Sequence, residues 1–257
     1  MTLTLTPLPG IPLVQAGDDL AQLLLEALDR ASIHLQDEDI LVLAQKIVSK
    51  AEGRRQNLAE ITPSQEAIAL AERTQKDPRL VEAILRESNR VLRSRVGTII
   101  VEHRRGFVCA SAGVDHSNVE AGAANSNPED WILLLPEDAD QSARRLRSQL
   151  EAASGRRLGV LIIDSHGRAW RLGTVGVSIG LSGLPGLVDL RGQPDLFGFR
   201  LRITQVGAAD ELAAAASLVM GQAAEGTPAV HVRGFPYPLR EASLDELLRP
   251  RDQDLFR

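Results

Sequence analysis

The apolar residues of this chain recur with two spacings, one typical of helices and one typical of strands. Leucines and alanines at helical spacing predict an amphipathic helix over residues 18–31, with Asp18 as its N-terminal cap. The same spacing predicts an alanine-rich helix over residues 209–220. Another helix is predicted from about residue 140 to residue 153, and Gly155 suits its C-terminal cap.

Short polar motifs predict where three further segments become helical. In Thr62-Pro63-Ser64-Gln65, the threonine is the predicted cap, the proline takes the first helical position and the glutamine completes a capping box. The pair Asp77-Pro78 is predicted to open the next helix. The motif Ser243-Leu244-Asp245-Glu246 predicts a last capping box near the end of the sequence.

Strands are predicted from short apolar runs, at residues 40–44, 98–101, 107–110, 132–135, 160–163, 200–206 and 229–232. Two of these runs flank Arg104-Arg105-Gly106 and therefore predict a hairpin. Regular helices do not separate the strands, so a doubly wound sheet is not favoured. The pattern predicts a mixed α/β (α+β) fold.

Composition narrows the class of protein. The 257 residues are 44% hydrophobic, which suffices for one large core or two modest ones, and a single unit over residues 1–257, with up to two lobes, is expected. The formal net charge of -5 argues against a nucleic-acid-binding surface. No apolar run approaches the roughly 20 residues that span a bilayer, and the N-terminus does not read as a secretory signal. A cytoplasmic location with no membrane partner is expected.

Cysteine and histidine usage bears on redox and metal chemistry. Cys109 is the single cysteine, so an intrachain disulfide is impossible, and a buried structural thiol is favoured over a reactive one. The sequence has no Cys-x-x-Cys motif, and its five histidines are scattered. A zinc site is therefore not expected, and any metal should be a hard cation held by oxygen atoms.

Four stretches are richer in polar residues and glycine than packing requires. The first, residues 45–53, carries Lys46 and Lys50 four positions apart. In a helix the two lysines would share a face, in a loop both could reach one phosphate chain, and the plain alternative is a solvated pair. The second, residues 113–118, contains a carboxylate, a hydroxyl and a carboxamide. That composition is typical of a polar turn and equally of an oxygen-rich metal and phosphate site.

The third stretch, residues 164–171, begins with Asp164 at the carboxyl end of an apolar strand, a frequent place for a ligand-binding group. Its glycine-rich sequel suits either close approach to a ligand or tight turns and close sheet packing. The fourth, residues 220–227, ends the alanine-rich helix and suits either a nucleotide wall or a helix cap with a loop. The common phosphate-binding loop, a convincing dinucleotide fingerprint and the Gly-x-Ser-x-Gly elbow are all missing from the sequence.

The four stretches, in this order and at these spacings, resemble the coenzyme F420:L-glutamate ligase (gamma-glutamyl ligase) family. The resemblance covers almost all of the chain up to about Gly234. It is carried by residues 10–13, 40–53, 113–118, 133–136, 164–168, 218–221 and 232–234. Each piece is weak alone, and their combination is specific.

The resemblance implies the family's own α/β architecture with mixed sheets, in an intertwined homodimer. It implies addition of L-glutamate to the lactyl carboxylate of the deazaflavin F420-0, followed by a second, gamma-linked glutamate. GTP would supply the energy and leave as GDP and phosphate, with Mg²⁺ or Mn²⁺ required and K⁺ as a further ion. A carboxylate does not react with an amine at neutral pH, so transfer of the GTP γ-phosphoryl group would first give an acyl phosphate.

The resemblance also implies roles for individual residues. Asp115, Asp164 and Lys46 would be catalytic, and the metal ligands would be Asp115, Asp164, Ser165 and Gln222. Nucleotide contacts would come from three parts of the chain. They are Ile11, Pro12, Leu13, Val14, Gln45, Lys46, Lys50, Asn118, Met220, Gly221, Gln222, Ala223, Ala224, Glu225, Gly226 and Thr227.

Some positions depart from the family pattern. Gln222 replaces an acidic residue of some relatives, which predicts weaker metal binding. Asp138-Ala139-Asp140 lacks a proline between the aspartates, and the loop at residues 120–130 is longer than usual. The chain is too short for the nitroreductase-like domain of some relatives. Two alternatives stay open: a ligase of the same mechanism with a folate-like or pterin-like acceptor, and a non-catalytic carrier of deazaflavin or nucleotide.

Overall fold

The computed structural model describes residues 2–119 and 127–255. Its strands are β1 (Thr4–Pro7), β2 (Ile40–Ala44), β3 (Arg55–Asn57), β4 (Ser88–Arg95), β5 (Thr98–His103), β6 (Val108–Ala110), β7 (Trp131–Leu133), β8 (Gly159–Arg168), β9 (Arg171–Ser182), β10 (Val188–Asp189), β11 (Gln205–Val206) and β12 (Ala229–Arg233). Its α-helices are α1 (Leu20–Arg30), α2 (Gln45–Ala51), α3 (Gln65–Thr74), α4 (Pro78–Arg86), α5 (Ala139–Ser154) and α6 (Ala208–Met220). The mixed α/β fold class is thereby confirmed.

A five-stranded sheet in the order β1-β12-β2-β8-β9 forms the centre of the fold. Only β2 and β8 run parallel in it, and the other neighbours are antiparallel. Successive residues of β2 and β8 enter opposite hydrophobic cores, because side chains alternate along a strand. One core contains α1 and α5, and the other contains α6. Both faces of the sheet are therefore covered, which explains why its central strands are apolar throughout.

A smaller layer packs against one end of this sheet. It consists of the sheet β4-β5-β6 with α3 and α4, which share a core of their own, and the pair β3-β7 lies beside it. Cys109 lies in this core, and burial raises the pKa of its thiol to about 12. The predicted structural thiol is confirmed. Phe107 links the two parts, since its ring lies 4.6 Å from that of His103 and 5.6 Å from that of His166 on β8.

Two predicted helix caps are wrong by one or two residues. The cap of α1 is Asp19, whose carboxylate accepts from the Gln22 amide, while Asp18 accepts from Gln15 in the preceding turn. The cap of α3 is Ser64, whose hydroxyl accepts from the Ala67 amide. In both cases several capping residues stand in a row, and sequence alone does not say which one turns non-helical.

The C-terminal capping box is also wrong. Residues Leu244–Glu246 form a short 3-10 helix without a side-chain cap from Ser243. The carboxylate of Glu246 instead accepts from the backbone amides of Gly186 and Leu187. Those amides are far from Glu246 in the sequence, so a local capping motif could not reveal that they bind its carboxylate.

Strand boundaries differ in two places. β8 continues to Arg168, beyond the predicted end at Ile163, because β9 offers backbone partners along this polar stretch. Conversely, only Gln205–Val206 of the predicted strand 200–206 forms a strand, paired with Val188–Asp189, while Arg200 makes an isolated bridge to Pro194. Of its apolar side chains, Ile203 is exposed, while Leu201 and Val206 are half-buried. An alternating pattern predicts that one face of a strand is apolar, but it does not identify the surface that would cover that face.

Candidate active site

A cavity of about 710 Å³ opens where the parallel strands β2 and β8 end. Ligand sites commonly form at the carboxyl ends of neighbouring parallel strands. The cavity brings together every residue that the sequence assigned to the site, although these come from five separate segments. They are Ile11, Pro12, Leu13, Val14, Gln45, Lys46, Lys50, Asp115, Asn118, Asp164, Ser165, Met220, Gly221, Gln222, Ala223, Ala224, Glu225, Gly226 and Thr227.

One wall is α2, which starts directly after β2. Because α2 is a helix, Lys46 and Lys50 lie one turn apart, and both line the cavity. The ammonium of Lys46 donates to the backbone oxygen of Ser117 at 2.9 Å and to its hydroxyl at 2.7 Å. It also lies 3.4 Å from a carboxylate oxygen of Asp115. The helix therefore presents positive charge to the cavity next to an acid.

Asp115 is held in place by its backbone and by α2. Its amide and carbonyl pair with Leu133 of β7, and its carboxylate accepts from the Gln45 side chain at 2.8 Å. Burial raises the pKa of this carboxyl to about 6, opposed by the nearby Lys46 and reinforced by the charge of Asp164. The two carboxylates therefore repel each other through the cavity, and a cation between them would relieve that repulsion.

Asp164 is oriented by a neighbour on its own strand. The ring nitrogen Nε2 of His166 lies 3.0 Å from the Asp164 carboxylate, because residues two apart on a strand share a face. The ring of Phe107 contacts the His166 ring in a tilted arrangement, with the ring centroids 5.6 Å apart. The smaller layer of the fold therefore helps to orient Asp164, because its Phe107 contacts the imidazole of His166.

Gln222 is fixed at both ends of its amide. Its Nε2 donates to the Ser217 hydroxyl at 2.8 Å, and its Oε1 accepts from the Ser165 hydroxyl at 2.7 Å. The loop that carries Gln222 closes on itself, since Thr227 donates to the Met220 carbonyl. It also reaches across the cavity, where the Asn118 side chain donates to the Ala223 carbonyl at 3.4 Å.

The cavity contains oxygen donors that could bind a metal ion. Two carboxylates, a hydroxyl and an amide oxygen are hard donors that Mg²⁺ or Mn²⁺ prefers. Among the described residues, no group of three or more His, Cys, Asp or Glu side chains is placed to hold a metal. Mg²⁺ commonly takes one or two protein carboxylates and completes its shell with water and substrate phosphate. The residues therefore fit a hard divalent cation that binds together with a phosphate.

The raised pKa of Asp115 predicts a pH-dependent stability of the metal-free protein. The folded protein keeps this proton up to a pKa of about 6, whereas an ordinary Asp carboxyl in the unfolded chain loses it near pH 3.8. Stability from the neutral form is therefore lost as the pH rises from about 4 to about 6. We expect Asp115→Asn to melt about 2–4 °C above the unsubstituted chain at pH 8, and by a smaller margin at pH 5, in thermal denaturation with a chelator present.

The matched control for this prediction is Asp29→Asn, which removes an exposed carboxylate from α1. It should not change the melting temperature at either pH. Added Mn²⁺ should raise the melting temperature of the unsubstituted chain more than that of Asp115→Asn. A lower melting temperature for Asp115→Asn at pH 8 would show that the ion pair with Lys46 outweighs the cost of burial.

Several cavity residues received no individual role from the sequence, although two of them, Ser117 and His166, lie in stretches that it singled out. His166, Ser117, Thr174 and Ser217 all line the cavity. His166 had a signal, its spacing of two from Asp164, but that spacing has meaning only if the segment is a strand. Ser217 had none, because one serine in an alanine-rich helix is unremarkable. The loop predicted to be longer than usual, residues 120–130, lies largely outside the described residues.

A mixed α/β fold with acids, lysines and glycine backbone converging on one cavity at strand ends is the arrangement of an enzyme active site. Over residues 10–234 the chain matches the family described as F420-0:Gamma-glutamyl ligase. The chain belongs to this family of ligases. Across residues 2–119 and 127–255, no helix has both the length and the apolar character to cross a bilayer.

Relatives of known name agree over their full length. The chain is 51% identical to the coenzyme F420:L-glutamate ligase of Methanothermobacter thermautotrophicus, with both chains covered completely. It is 47% identical to the protein of the same name from Methanopyrus kandleri, covering 100% of this chain and 98% of the relative. For the protein of that name from Archaeoglobus fulgidus the identity is 40%, with 100% and 97% covered.

Proposed function

We propose that this chain is a GTP-dependent ligase that adds L-glutamate to the lactyl carboxylate of coenzyme F420-0, followed by a gamma-linked second glutamate. The observation that carries the proposal is the convergence of Lys46, Lys50, Asp115 and Asp164 on one cavity. Membership of the ligase family supports the acceptor and the amino acid. The lysines and the hard oxygen donors support a polyphosphate nucleotide bound with a divalent cation.

The chemistry needs an activated carboxylate. In the proposed sequence, an acceptor carboxylate oxygen attacks the γ-phosphorus of GTP, and the bond to the bridging oxygen breaks to release GDP. The glutamate nitrogen, after losing a proton to solvent, then attacks the acyl carbon, and phosphate leaves as the amide forms. Lys46 and Lys50 would neutralise the charge on the phosphate oxygens throughout.

Asp115, Asp164, Ser165 and Gln222 would hold the divalent cation. When bound, it supplies charge neutralisation at the phosphoryl oxygens. His166 keeps the Asp164 carboxylate turned into the cavity, and Ser217 fixes Gln222 so that its oxygen is the atom presented. Gln222 contributes an oxygen without a charge, so the site depends heavily on its two carboxylates.

A mass-spectrometric assay tests the proposal directly. Purified protein is incubated with F420-0, L-glutamate, GTP and Mn²⁺ or Mg²⁺, with and without K⁺. We expect products heavier by one and two glutamyl units, formed in step with GDP. If the protein binds GTP but yields no glutamylated F420-0, the proposed acceptor is wrong, and folates and pterins become the acceptors to screen.

We also propose that the chain works as a homodimer. An arm at residues 190–204, held at its base by the β10-β11 pair, exposes several large apolar side chains. Phe197 is 96% exposed, and Leu196, Phe199 and Ile203 accompany it. Contiguous exposed apolar surface of this kind is typical of a protein interface. Two copies that exchange such arms would bury it symmetrically.

The dimer proposal predicts that Phe197→Asp favours the monomer. Burying a charge in an apolar interface is costly, and the symmetry of a dimer imposes that cost twice. We expect sedimentation to show half the mass of the unsubstituted protein at micromolar concentration. Val96→Asp, at the exposed turn between β4 and β5, is the control and should leave the mass unchanged. A Phe197→Asp protein of unchanged mass would place the interface elsewhere.

A further inference from the structure

The hairpin of β8 and β9 extends past the cavity that it helps to form. Gly167 and Thr174 pair across the hairpin, and both line the cavity wall. The next five residues, 168–172, form the hairpin tip, where Arg168 pairs with Arg171. Arg168 lies four positions after Asp164, which amounts to about 13 Å along a strand. The tip therefore lies about the length of a small molecule away from Asp164.

The hairpin tip contains a side chain that the fold itself does not need. Trp170 is 89% exposed, and the neighbouring Leu172 is 98% exposed. Trp170 also has a φ of +64°, a left-handed conformation that glycine or asparagine adopts with far less strain. A strained, bulky and exposed residue beside an active site suggests that its side chain has a use there.

The charge of the hairpin tip indicates what kind of molecule it suits. The sequence Arg168-Ala169-Trp170-Arg171-Leu172 has two arginines and no acid. The guanidinium of Arg168 folds back to the Leu172 carbonyl at 3.3 Å, which keeps it close to the apolar pair. A planar apolar ring flanked by guanidinium groups is suited to a flat, acidic ligand. A second copy of the same tip would instead bring four positive charges together, which disfavours self-association here.

We propose that the hairpin tip is the docking platform for the planar ring of the acceptor, with Trp170 stacking on the deazaflavin and Arg168 and Arg171 attracting its acidic chain. This inference rests on the proposed function. F420-0 carries its ring and its reacting carboxylate at opposite ends of a flexible chain. With the carboxylate near Asp115 and Asp164, the ring would extend along the hairpin towards Trp170.

Trp170→Gly separates a binding role from a structural one. Glycine relieves the left-handed strain, so the variant should melt at the same or a higher temperature than the unsubstituted protein. We expect the KM for F420-0 to rise about tenfold, with kcat and the KM for GTP unchanged, because one aromatic stacking contact is lost. Arg171→Ala should raise the same KM several-fold, and by less at high salt.

Two controls make the test specific. Val96→Ala changes an exposed side chain at another hairpin turn and should leave every constant unchanged. An acceptor fragment that keeps the reacting carboxylate but lacks the deazaflavin ring should be used equally by Trp170→Gly and by the unsubstituted enzyme. The tenfold difference should therefore appear only with the complete acceptor.

The outcomes separate this inference from the function on which it rests. Product from the unsubstituted enzyme, with a KM for F420-0 that Trp170→Gly does not change, would overturn the platform alone. An equal rise in KM for the ringless fragment, or a changed sedimentation mass, would also overturn it and assign the tip a structural or interface role. Failure of the unsubstituted enzyme to glutamylate F420-0 would overturn both proposals together.

Discussion

Replacing Asp164 with asparagine is expected to lower turnover of the proposed ligation roughly 100- to 1,000-fold. Asparagine keeps the shape of the side chain but removes one of the two charges that Asp115 and Asp164 offer a divalent cation. Gln222 cannot compensate, since its amide oxygen is neutral and already accepts a hydrogen bond from Ser165. Turnover at saturating GTP and F420-0, measured while Mn²⁺ is titrated, checks the prediction.

The shape of that titration distinguishes two ways of losing activity. If Asp164 holds the cation, excess Mn²⁺ should restore part of the turnover, because a weakened site fills at higher concentration. Asp29→Asn on α1 is the control, and it should behave like the unsubstituted enzyme. Turnover within twofold of normal for both Asp115→Asn and Asp164→Asn would remove the basis of the proposed mechanism.

His166 supports Asp164, and it was absent from the site predicted from sequence. It contacts the Asp164 carboxylate from the same strand face, and Phe107 of the smaller layer backs it. Neither contact follows from a motif. The first requires β8 to continue through polar residues, and the second requires two distant parts of the chain to dock. The acid, Asp164, was therefore predictable from sequence, whereas the residues that orient it, His166 and Phe107, were not.

The parts of the site that were predicted from sequence were predictable for two different reasons. Lys46 and Lys50 act together because four residues make about one helical turn, whatever the rest of the fold does. Asp115 and Gln222, by contrast, become neighbours of Asp164 only after three separate segments converge. No local propensity encodes that convergence, and only the resemblance of ordered motifs to a known family predicted it. The strands that carry the site were predictable where an apolar run is buried on both faces of the sheet, as in β2.

The sequence alone did not show what the glycines of β9 do. Their role becomes clear only from the helices that pack against them. Gly176 and Gly180 were equally compatible with loops that approach a ligand. In the structure both lie inside a strand, where glycine is ordinarily unfavourable. A Cβ on Gly180 would lie 2.4 Å from the carbonyl carbon of Ala139 in α5, and one on Gly176 would lie 2.5 Å from the Ala213 carbonyl oxygen in α6. Each glycine thus allows one helix to lie directly on the sheet.

We expect Gly176→Ala and Gly180→Ala each to lower the free energy of unfolding by about 3 kcal/mol, because backbone atoms of a helix cannot yield as a flexible side chain can. Chemical denaturation measures this. Gly167→Ala, on the paired strand, is the control, since nothing lies within 4 Å of its added Cβ and it should be neutral to stability.

The two substitutions should nevertheless differ in their effect on the active site. A Cβ on Gly176 would also come within 2.5 Å of the Ser217 Cβ, and Ser217 fixes the amide of Gln222. Gly180 contacts α5, which does not line the cavity. At a temperature where both variants stay folded, Gly176→Ala should need several-fold more Mn²⁺ for half-maximal turnover, whereas Gly180→Ala should not. Equal Mn²⁺ requirements would mean that α6 shifts as a rigid body and that Gln222 moves with it without losing its orientation.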